Sequence, residues 1–377
     1  MEIFLSKSGW QLVIFGLFCV ISLIQLIYIL RLFGKLAFYK TPSKEHMQQH
    51  PVSVIVCARD EAGNLTRNLP GILVQKYPST NEVIVVNHNS QDETRFLLDE
   101  FKKTFKNLYA VNLENDALGI PGKKYPLSIG IKEAKHEVLL LTDADCVPAS
   151  EDWIEHMQNG YDNGTEIVIG YGAYFKRPGF LNKLIRFETF HAALQYLSYA
   201  IAGMPYMGVG RNLSYKKNVF LRNKGFSFTN HLPGGDDDLF INKVATKTNT
   251  SIVIHPDSFT LSEPKKSFGD WMRQKNRHFS TAKYYRPKHK FLLGTYNASQ
   301  FLFYPLFIAC LVFFDWRLAL GIFVVRFIAQ GFIYYKAMKQ LNEKDLWPLW
   351  WLFDIWMFLF YCIFAPALWK KPKASWN

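Results

Sequence analysis

Apolar and polar residues follow two different patterns along this chain. Residues 12–30 form an uncharged run of 19 residues, long enough for a helix to cross about 30 Å of hydrocarbon. Three further apolar runs lie near the C-terminus, at about residues 292–314, 318–336 and 346–368. The first pattern therefore predicts an N-terminal transmembrane anchor within residues 1–34. It also predicts a C-terminal membrane region of about three spans within residues 291–377.

Between residues 50 and 260, short apolar runs alternate with stretches of helical spacing. The apolar runs predict strands at residues 52–56, 82–86, 109–113 and 138–142. The stretches between them predict helices at residues 64–74, 94–105 and 125–134. This alternation favours a parallel sheet covered by helices on both faces. Ligands of such sheets bind beyond the carboxyl ends of the strands, so we expect the site in the loops that begin at Cys57, Asn87 and Asp143.

The segment at about residues 180–205 is largely uncharged and has apolar residues at helical spacing. One interpretation is an ordinary buried helix. We favour an amphipathic helix at the membrane surface, because predicted membrane spans flank the domain.

Composition and charge narrow the class of protein. The 377 residues include 44 Lys and Arg against 31 Asp and Glu, a formal net charge of +13, and 49% are hydrophobic. The mean hydropathy is nevertheless only −0.03, which excludes a uniformly apolar transporter, and the high aromatic content excludes a disordered polyelectrolyte. The five cysteines form no CxxC pair, so they predict neither a disulfide framework nor a zinc site, and a reducing compartment fits.

The distribution of basic residues predicts the orientation in the membrane. Lys7 alone precedes the first apolar run, whereas basic residues follow it at positions 31, 35, 40 and 44. The positive-inside rule then places the N-terminus outside and residues 35–290 in the cytoplasm. The basic tail after residue 369 also favours the cytoplasm, which leaves two alternatives for the last segment besides a full span: a re-entrant segment or one along the interface.

Arg326 and Asp354 are ionisable residues inside apolar segments, where a charge is costly unless it is paired or faces water. They predict either an ion pair between neighbouring helices or the lining of a path for a lipid or glycan.

Two clusters of carboxylates carry most of the chemistry. Asp143 and Asp145 leave the fourth predicted strand, where their oxygen atoms suit Mg²⁺ or Mn²⁺. The second cluster, residues 236–238, is a run of three aspartates before a predicted helix. Adjacent carboxylates repel each other, so each of the three needs a reason to be there. The N-cap of the following helix accounts for one of them. A carboxylate placed to take a proton from an acceptor hydroxyl accounts for the others.

Two basic motifs accompany the acids. Lys123 and Lys124 follow Pro121 and Gly122 at the start of a predicted helix, where backbone N–H groups and an ammonium favour a diphosphate. Further on, Trp271, Gln274 and Arg277 recur at helical spacing. Their aromatic ring, amide and guanidinium suit recognition of a phosphate or a sugar. The alternative is a basic helix face that contacts anionic lipid. The chain has neither a Walker A motif nor GxGxxG.

Taken in order, these motifs resemble the family 2 glycosyltransferases. The similar branch is membrane-bound and inverting, and it includes ceramide glucosyltransferase and the hyaluronan and cellulose synthases. The resemblance covers about residues 50–285. It implies a GT-A fold, a mixed α/β sheet flanked by helices, with transmembrane helices in addition.

The resemblance also implies a role for each candidate residue. Those expected to bind the donor are Ala58, Arg59, Glu61, Asn87, Lys123, Lys124, Asp143 and Asp145. Asp145, with Asp143, is expected to hold Mg²⁺ or Mn²⁺. Asp236 falls on the position of the catalytic base, and Asp237 is also assigned to catalysis. Those on the acceptor and diphosphate side are Asp238, Gln274, Arg277 and His278. The sequence departs from the family pattern at Asn87, where an acidic residue is usual, and at His278, where Trp is usual.

The expected activity is transfer of a sugar from a UDP- or GDP-linked donor to a lipid-linked or glycan acceptor. The expected location is a cell membrane, the bacterial inner membrane, with multiple spans, membrane lipids as partners and a cytoplasmic catalytic domain for cell-envelope polysaccharide synthesis. The acidic clusters argue against a nucleic-acid partner, because they repel phosphates. Two alternatives remain, a processive polysaccharide synthase subunit and an inactive membrane scaffold that retains the fold.

Overall fold

The computed structural model describes residues 7–41, 49–117, 119–279 and 281–364. The chain divides into two compact units, one within Met1–Tyr39 and Tyr285–Lys370 and the other mainly within Lys40–Tyr284. The first is built of long apolar helices and is called the helical unit. The second contains the strands and is called the α/β unit.

The α/β unit has ten strands among its described residues. They are β1 (Val52–Ala58), β2 (Asn81–His88), β3 (Leu108–Leu113), β4 (Val138–Asp143), β5 (Cys146–Pro148), β6 (Ile167–Ile169), β7 (Gly172–Tyr174), β8 (Leu213–Lys216), β9 (Thr250–Ile252) and β10 (Thr260–Ser262). Seven form a sheet in the order β3-β2-β1-β4-β8-β6-β9, and three form a second sheet in the order β5-β10-β7. The four strands predicted from the sequence are β1 to β4.

The large sheet is parallel only in part. Strands β1 to β4 are parallel, as predicted, but β8 runs antiparallel to both β4 and β6. The sheet is therefore mixed, as the GT-A resemblance implied. Every residue of β1 is buried, because β1 lies between β2 and β4 and has helices on both faces.

Helices of ordinary length connect and cover these strands. In the α/β unit they are Ala62–Leu73, Thr94–Thr104, Lys124–Glu133, Trp153–Gln158, Phe180–Ile201, Lys217–Arg222, Asp238–Val244 and Phe268–Phe279. Short 3₁₀ helices are Ser227–Thr229, Pro256–Ser258 and Ala282–Tyr284. The helix Lys124–Glu133 lies close on the sheet because it carries Gly130, where a Cβ would come within 2.8 Å of Ile55 and 2.9 Å of Val86. This close packing fixes the start of the helix, and hence both lysines, against the sheet.

The helix Phe180–Ile201 is largely buried in the folded chain. Most of its apolar residues are buried; Leu181, Ala192, Ala200 and Ile201 are half-buried, and Phe180 is 56% exposed. A buried ion pair also anchors it, between Glu188 and Lys275 of the helix Phe268–Phe279. This burial favours the ordinary buried helix; contact with the membrane surface stays a prediction.

The helical unit contains four helices long and apolar enough to cross a membrane among its described residues: Gly9–Ala37, Pro287–Phe313, Trp316–Gln340 and Lys344–Phe364. The first passes through a π-helical segment at Tyr28–Phe33, and the last begins as a 3₁₀ helix at Lys344–Leu349. Each covers one of the predicted apolar runs. The end of the last predicted run, residues 365–368, lies outside the described residues.

Arg326 and Asp354 form an ion pair inside this unit, at 3.0 Å, and both side chains are at most 3% exposed. Amide groups complete the pair. The guanidinium donates to the Gln25 and Gln300 Oε1 atoms at 3.2 and 3.0 Å, and Gln330 Nε2 donates to the carboxylate at 2.7 Å. Each of the four helices thus contributes to one buried network, which favours the structural interpretation of the two charges over the lining of a path.

Candidate active site

The candidate site begins at the carboxyl edge of the parallel strands. Ala58, the last residue of β1, pairs in register with Asn87 of β2, and Cys57 pairs with Asp143 of β4. The strand order reverses between β1 and β4, because β2 and β3 continue on the other side of β1. This reversal is where open α/β sheets bind ligands.

The loops after β1 and β2 are tied to each other at this edge. Asp60 adopts a positive φ of 54°, and its carboxylate accepts a hydrogen bond of 2.7 Å from the Gln91 N–H. Arg59 forms an ion pair of 3.3 Å with Asp116, which also lies 3.0 Å from His88 Nε2. Arg59 therefore has an internal carboxylate partner at the position where the sequence predicted a donor-binding residue.

Asn87 is buried next to this loop with half of its amide satisfied. Its Nδ2 donates to the Asn112 Oδ1 at 2.9 Å, whereas its own Oδ1 accepts no hydrogen bond from the part of the chain that the structure describes. A buried amide oxygen without a donor is costly. The arrangement fits an N–H group of a ligand, such as the edge of a nucleobase.

Asp143 and Lys123 form an ion pair at the carboxyl edge of the parallel strands. Burial alone would lower the pKa of Lys123, but the charges of Asp143 and Asp236 outweigh it and raise that pKa well above its usual value. Burial would raise the pKa of Asp143, and Lys123 lowers it below the ordinary range. The Lys123 ammonium thus interacts with both acidic clusters, although these are far apart in the sequence.

Asp145 has no comparable cation. Burial is the larger cause that raises the pKa of Asp145, and the negative charge of Asp143 raises it further. Glu61 is subject to the same influences, because burial and then Asp145 and Asp143 raise its pKa against a hydrogen bond from Asn64. Negative charge is therefore concentrated around Asp145, and the charges of Arg211 and Lys265 offset it only in part.

A divalent cation fits this donor set. Ligand atoms of Asp143, Asp145 and Cys146 all lie within 4.8 Å of one another. The Cys146 Sγ is buried 3.0 Å from the Ser262 hydroxyl oxygen, and its soft sulfur is a poor match for a hard cation. The ligands that remain are carboxylate oxygens, which suit Mg²⁺ or Mn²⁺ rather than softer metals.

Arg211 is a candidate residue that the sequence interpretation missed. Its guanidinium lies 4.6 Å from the ring centroid of Tyr174. It donates two long hydrogen bonds of 3.4 Å, one to the Ala173 carbonyl and one to the Ser262 hydroxyl. Its charge lowers the pKa of both Asp143 and Asp145. The sequence offers one indication of this residue, because Arg211 is the first charged residue after the uncharged segment 189–210.

Lys124 differs from the prediction that it binds the donor. It is 1% exposed, and its ammonium donates to three carbonyl oxygens: Thr229 at 2.6 Å, Leu232 at 2.8 Å and Gly234 at 2.5 Å. Burial lowers its pKa to about 8. An ammonium has three donors, so no proton is left for a diphosphate. Lys124 instead holds the loop at residues 229–234, directly before the aspartate cluster.

Gly122 brings the lysine loop against the same segment. Its φ is +80°, and a Cβ on it would lie 2.2 Å from the Pro233 carbonyl oxygen. Only glycine permits both the conformation and the approach. The loop that carries Lys123 and the loop that leads to Asp236 are therefore packed directly on each other.

The three aspartates of the second cluster have different roles in the structure. Asp237 caps the helix Asp238–Val244, accepting from the Asp238 N–H at 2.7 Å and the Gly210 N–H at 2.8 Å. Asp238 accepts from the Leu239 N–H at 2.7 Å and from the Thr281 hydroxyl at 2.5 Å. Asp236 is partly exposed and accepts no hydrogen bond from any described residue.

The helix Phe268–Phe279 presents the third motif. Arg277 is exposed, and its charge acts on Asp143 and lowers the pKa of that carboxylate. The Gln274 Oε1 is buried and, within the described chain, has no hydrogen-bond partner. Trp271 is fully buried, with its ring 5.5 Å from that of Phe268, so it does not offer a face to a sugar. The side chain of His278 lies outside the described residues.

Comparisons with known proteins agree with this arrangement. Residues 53–221 match the family model described as "Glycosyl transferase family 2". The glycosyltransferase AglE of Haloferax volcanii is 26% identical over 231 residues, which are 60% of this chain and 71% of that protein. A poly-beta-1,6-N-acetyl-D-glucosamine synthase of Staphylococcus epidermidis is 32% identical over 115 residues, 30% of this chain and 26% of the synthase.

The fold also resembles a solved structure along most of its length. A mannosyltransferase from Pyrobaculum calidifontis, in complex with GDP-Man and Mn²⁺, superposes with a TM-score of 0.59 and 18% identity. The similarity covers 92% of this chain and 99% of the mannosyltransferase. At this identity the likeness concerns the fold.

Proposed function

We propose that this chain is a membrane-associated family 2 glycosyltransferase with a GT-A domain, and that it transfers one sugar, with inversion, from a nucleotide diphosphate sugar to a lipid-linked acceptor. The proposal rests mainly on Asp236. This carboxylate has no hydrogen-bond donor among the described residues, and it acts on the Lys123 ammonium that pairs with Asp143. The proposed base, Asp236, and the donor-side carboxylate of Asp143 therefore both interact with the Lys123 ammonium.

The proposed reaction is a single displacement. Asp236 accepts the proton of an acceptor hydroxyl while the hydroxyl oxygen forms a bond to the anomeric carbon. The bond from that carbon to the diphosphate breaks on the opposite face, so the configuration inverts. Lys123, Arg211 and Arg277 carry positive charge toward the leaving diphosphate. Mg²⁺ or Mn²⁺ held by Asp145 and Asp143 would supply further positive charge to that diphosphate.

Asn87 is the residue proposed to contact the donor base. Its buried Oδ1 lacks a donor within the described chain, and uracil and guanine both present ring N–H groups. The solved mannosyltransferase contains GDP-Man, so a GDP-linked sugar is a candidate donor beside the UDP-linked sugars. Both classes belong in the first substrate panel.

The acceptor and the location are proposed from the helical unit. Four apolar helices and a net charge of +13 fit a multi-pass protein with its catalytic domain on the cytoplasmic face of an anionic membrane. A lipid-linked acceptor would reach such a domain from the membrane. Chain extension is the second candidate, and the similarity to a polysaccharide synthase over 115 residues favours testing it.

The test uses the full-length protein in membranes or detergent, with a panel of UDP- and GDP-linked sugars, Mg²⁺ or Mn²⁺, and a lipid extract as the acceptor source. We expect one donor class to release its nucleotide. Asp236→Asn should then lower kcat by two or more decades, roughly 3 kcal/mol of transition-state stabilisation. The matched control is Asp162→Asn, an exposed aspartate of the same unit.

Two measurements decide between the candidates. Near-normal turnover by Asp236→Asn would remove this residue as the base. The number of sugars added to each acceptor, measured by mass spectrometry, separates single transfer from chain extension. A protein that binds no nucleotide sugar would instead favour the inactive scaffold.

A further inference from the structure

A second group of metal-binding side chains lies in the α/β unit, formed by His156, His255 and Asp257. Its nitrogen and carboxylate ligand atoms all lie within 4.8 Å of one another. The His156 Nε2 is 3.8 Å from the Asp257 Oδ2, and the His255 Nδ1 is 3.5 Å from the same oxygen. The two imidazole rings stack with centroids 4.1 Å apart and an interplanar angle of 13°.

This group is separate from the residues around Asp145. Strands β5 and β10 pair antiparallel, with Cys146 opposite Ser262 and Pro148 opposite Thr260. Asp145 directly precedes the first of these pairs. The two histidines and Asp257 belong to segments that extend from the other end of the strand pair.

Both segments that carry the group are held rigidly. The helix Trp153–Gln158 is anchored by buried apolar residues, including Trp153, whose Nε1 donates to the Asn212 Oδ1 at 3.1 Å. On the other segment, Ser258 is fully buried, and its N–H and hydroxyl both donate to the His255 carbonyl, at 2.8 and 2.6 Å. Fixed backbones keep the three side chains together, so a ligand would not have to assemble the site.

The donor set points to a particular class of metal. Two imidazoles and one carboxylate form a three-residue set typical of Zn²⁺, with an open fourth position for water. Mg²⁺ prefers oxygen ligands alone. Zn²⁺ bonds of about 2.0–2.2 Å require the donor atoms to move closer together. The side chains of His255 and Asp257 are 46% and 50% exposed, and rotation of His255 toward a metal would replace the 3.3 Å hydrogen bond that its Nδ1 accepts from the Asp257 N–H.

The surrounding charge also favours a cation. Asp152 and Glu155 lie on or next to the helix that carries His156 and place negative charge near its ring, while burial and the neighbouring His255 outweigh them and lower the pKa of His156. We propose that His156, His255 and Asp257 form a Zn²⁺ site that clips the helix after β5 to the turn before β10. The site would stabilise the strand pair that continues from Asp145, and it takes no part in sugar transfer.

The experiment measures metal binding by the full-length, tag-free protein in detergent, after removal of metal with a chelator. The starting protein carries Asp145→Asn, so that the other acidic cluster does not confuse the stoichiometry. Zn²⁺ is added during calorimetric titration and during thermal unfolding. We expect about one equivalent of Zn²⁺ and a higher Tm, with no such rise from Mg²⁺ at the same concentration.

Three substitutions then locate the site. His255→Ala and Asp257→Asn change exposed side chains and should weaken Zn²⁺ binding at least about tenfold, as should His156→Ala. His136→Ala, at another histidine of the same unit, should bind Zn²⁺ like the parent protein. If His255→Ala and Asp257→Asn keep the parent affinity, or if the parent binds no Zn²⁺, the two rings are a packing pair only and the proposal is wrong. The outcome does not depend on transferase activity.

Discussion

Lys123 and Lys124 are adjacent, yet their ammonium groups have different partners because a helix starts between them. Lys123 is the N-cap residue and pairs with Asp143 at the edge of the sheet. Lys124 begins the helix and donates to three carbonyls of the loop at residues 229–234. We infer that Lys123 acts on the donor side, whereas Lys124 positions the loop that leads to Asp236.

Lys124→Met should lower kcat at least tenfold and change the donor KM by less than about threefold. The substitution leaves three buried carbonyls without their donor, each costing about 1–3 kcal/mol, and it releases the loop before the base. Steady-state release of nucleotide measures both constants. Lys132→Met, an exposed lysine of the same helix, is the control. A raised KM at constant kcat would instead assign Lys124 to donor binding.

Asp237 should make the stability of the protein depend on pH. Burial, and then the charges of Asp236 and Asp238, raise its pKa to about 8. An unfolded aspartate titrates near pH 4, so between about pH 4 and 8 the folded chain binds the extra proton. The free energy of unfolding contributed by this group therefore falls as the pH rises through that window and levels off above it.

Asp237→Asn should flatten this dependence, because the amide does not titrate and its oxygen can still cap the helix. The measurement is the Tm of both proteins at pH 5, 6.5 and 8, with Asp162→Asn as the control. Equal slopes in all three proteins would show that Asp237 is ionised throughout.

At the scale of secondary structure, the sequence pattern predicted the elements with long, buried apolar runs. Strands β1 to β4 have six to eight residues, and each contains a run of apolar residues, so their positions followed from the pattern alone. Strands β5, β6, β7, β9 and β10 have three residues each and β8 has four, too few for an alternation to be visible. The antiparallel part of the sheet and the second sheet therefore had no signal in the sequence.

The same contrast holds for the candidate site. Asp143 and Asp145 could be predicted because a buried strand ends in front of them. The different partners of Lys123 and Lys124 could not be predicted, since they depend on which side of the helix start faces the loop at residues 229–234. Arg211 was missed for a similar reason: its approach to the acids depends on β8, which pairs with β4 over a long sequence separation.

The helices of the helical unit should depend on the pair between Arg326 and Asp354. Asp354→Asn leaves the guanidinium buried without a counterion, at a cost of about 3–5 kcal/mol. We expect a lower Tm in detergent and a lower yield. Arg326→Gln with Asp354→Asn should recover part of the loss, because no net charge remains buried.

Asp315→Asn is the matched control, since Asp315 caps an adjacent helix end and asparagine caps as well. A single Asp354→Asn protein as stable as the parent would show that the two charges contribute nothing to the fold.

At the scale of the whole molecule, the candidate site gathers residues from most of the α/β unit. Its members run from Arg59 to Arg277, and the acids among them are close enough to raise one another's pKa. Such a pocket should be poorly occupied by a diphosphate until a cation balances its charge.

Metal removal should therefore abolish sugar transfer. Chelation is expected to stop nucleotide release, and added Mg²⁺ or Mn²⁺ should restore it, because Asp145 lacks a cation partner comparable to Lys123. Asp145→Asn should not be restored by either ion at concentrations that saturate the parent protein. Undiminished release in the chelator would contradict the predicted metal dependence.

The network around Arg326 has a consequence for biosynthesis. The four helices emerge from the ribosome in order, and Arg326 precedes its carboxylate partner by 28 residues. Until the helix Lys344–Phe364 packs against the other three, the guanidinium has neutral amides beside it but no anion, which is unfavourable in an apolar environment. A nascent chain that stops before this helix would thus carry a buried positive charge without its counterion, so the network is electrically balanced only once this helix has been made.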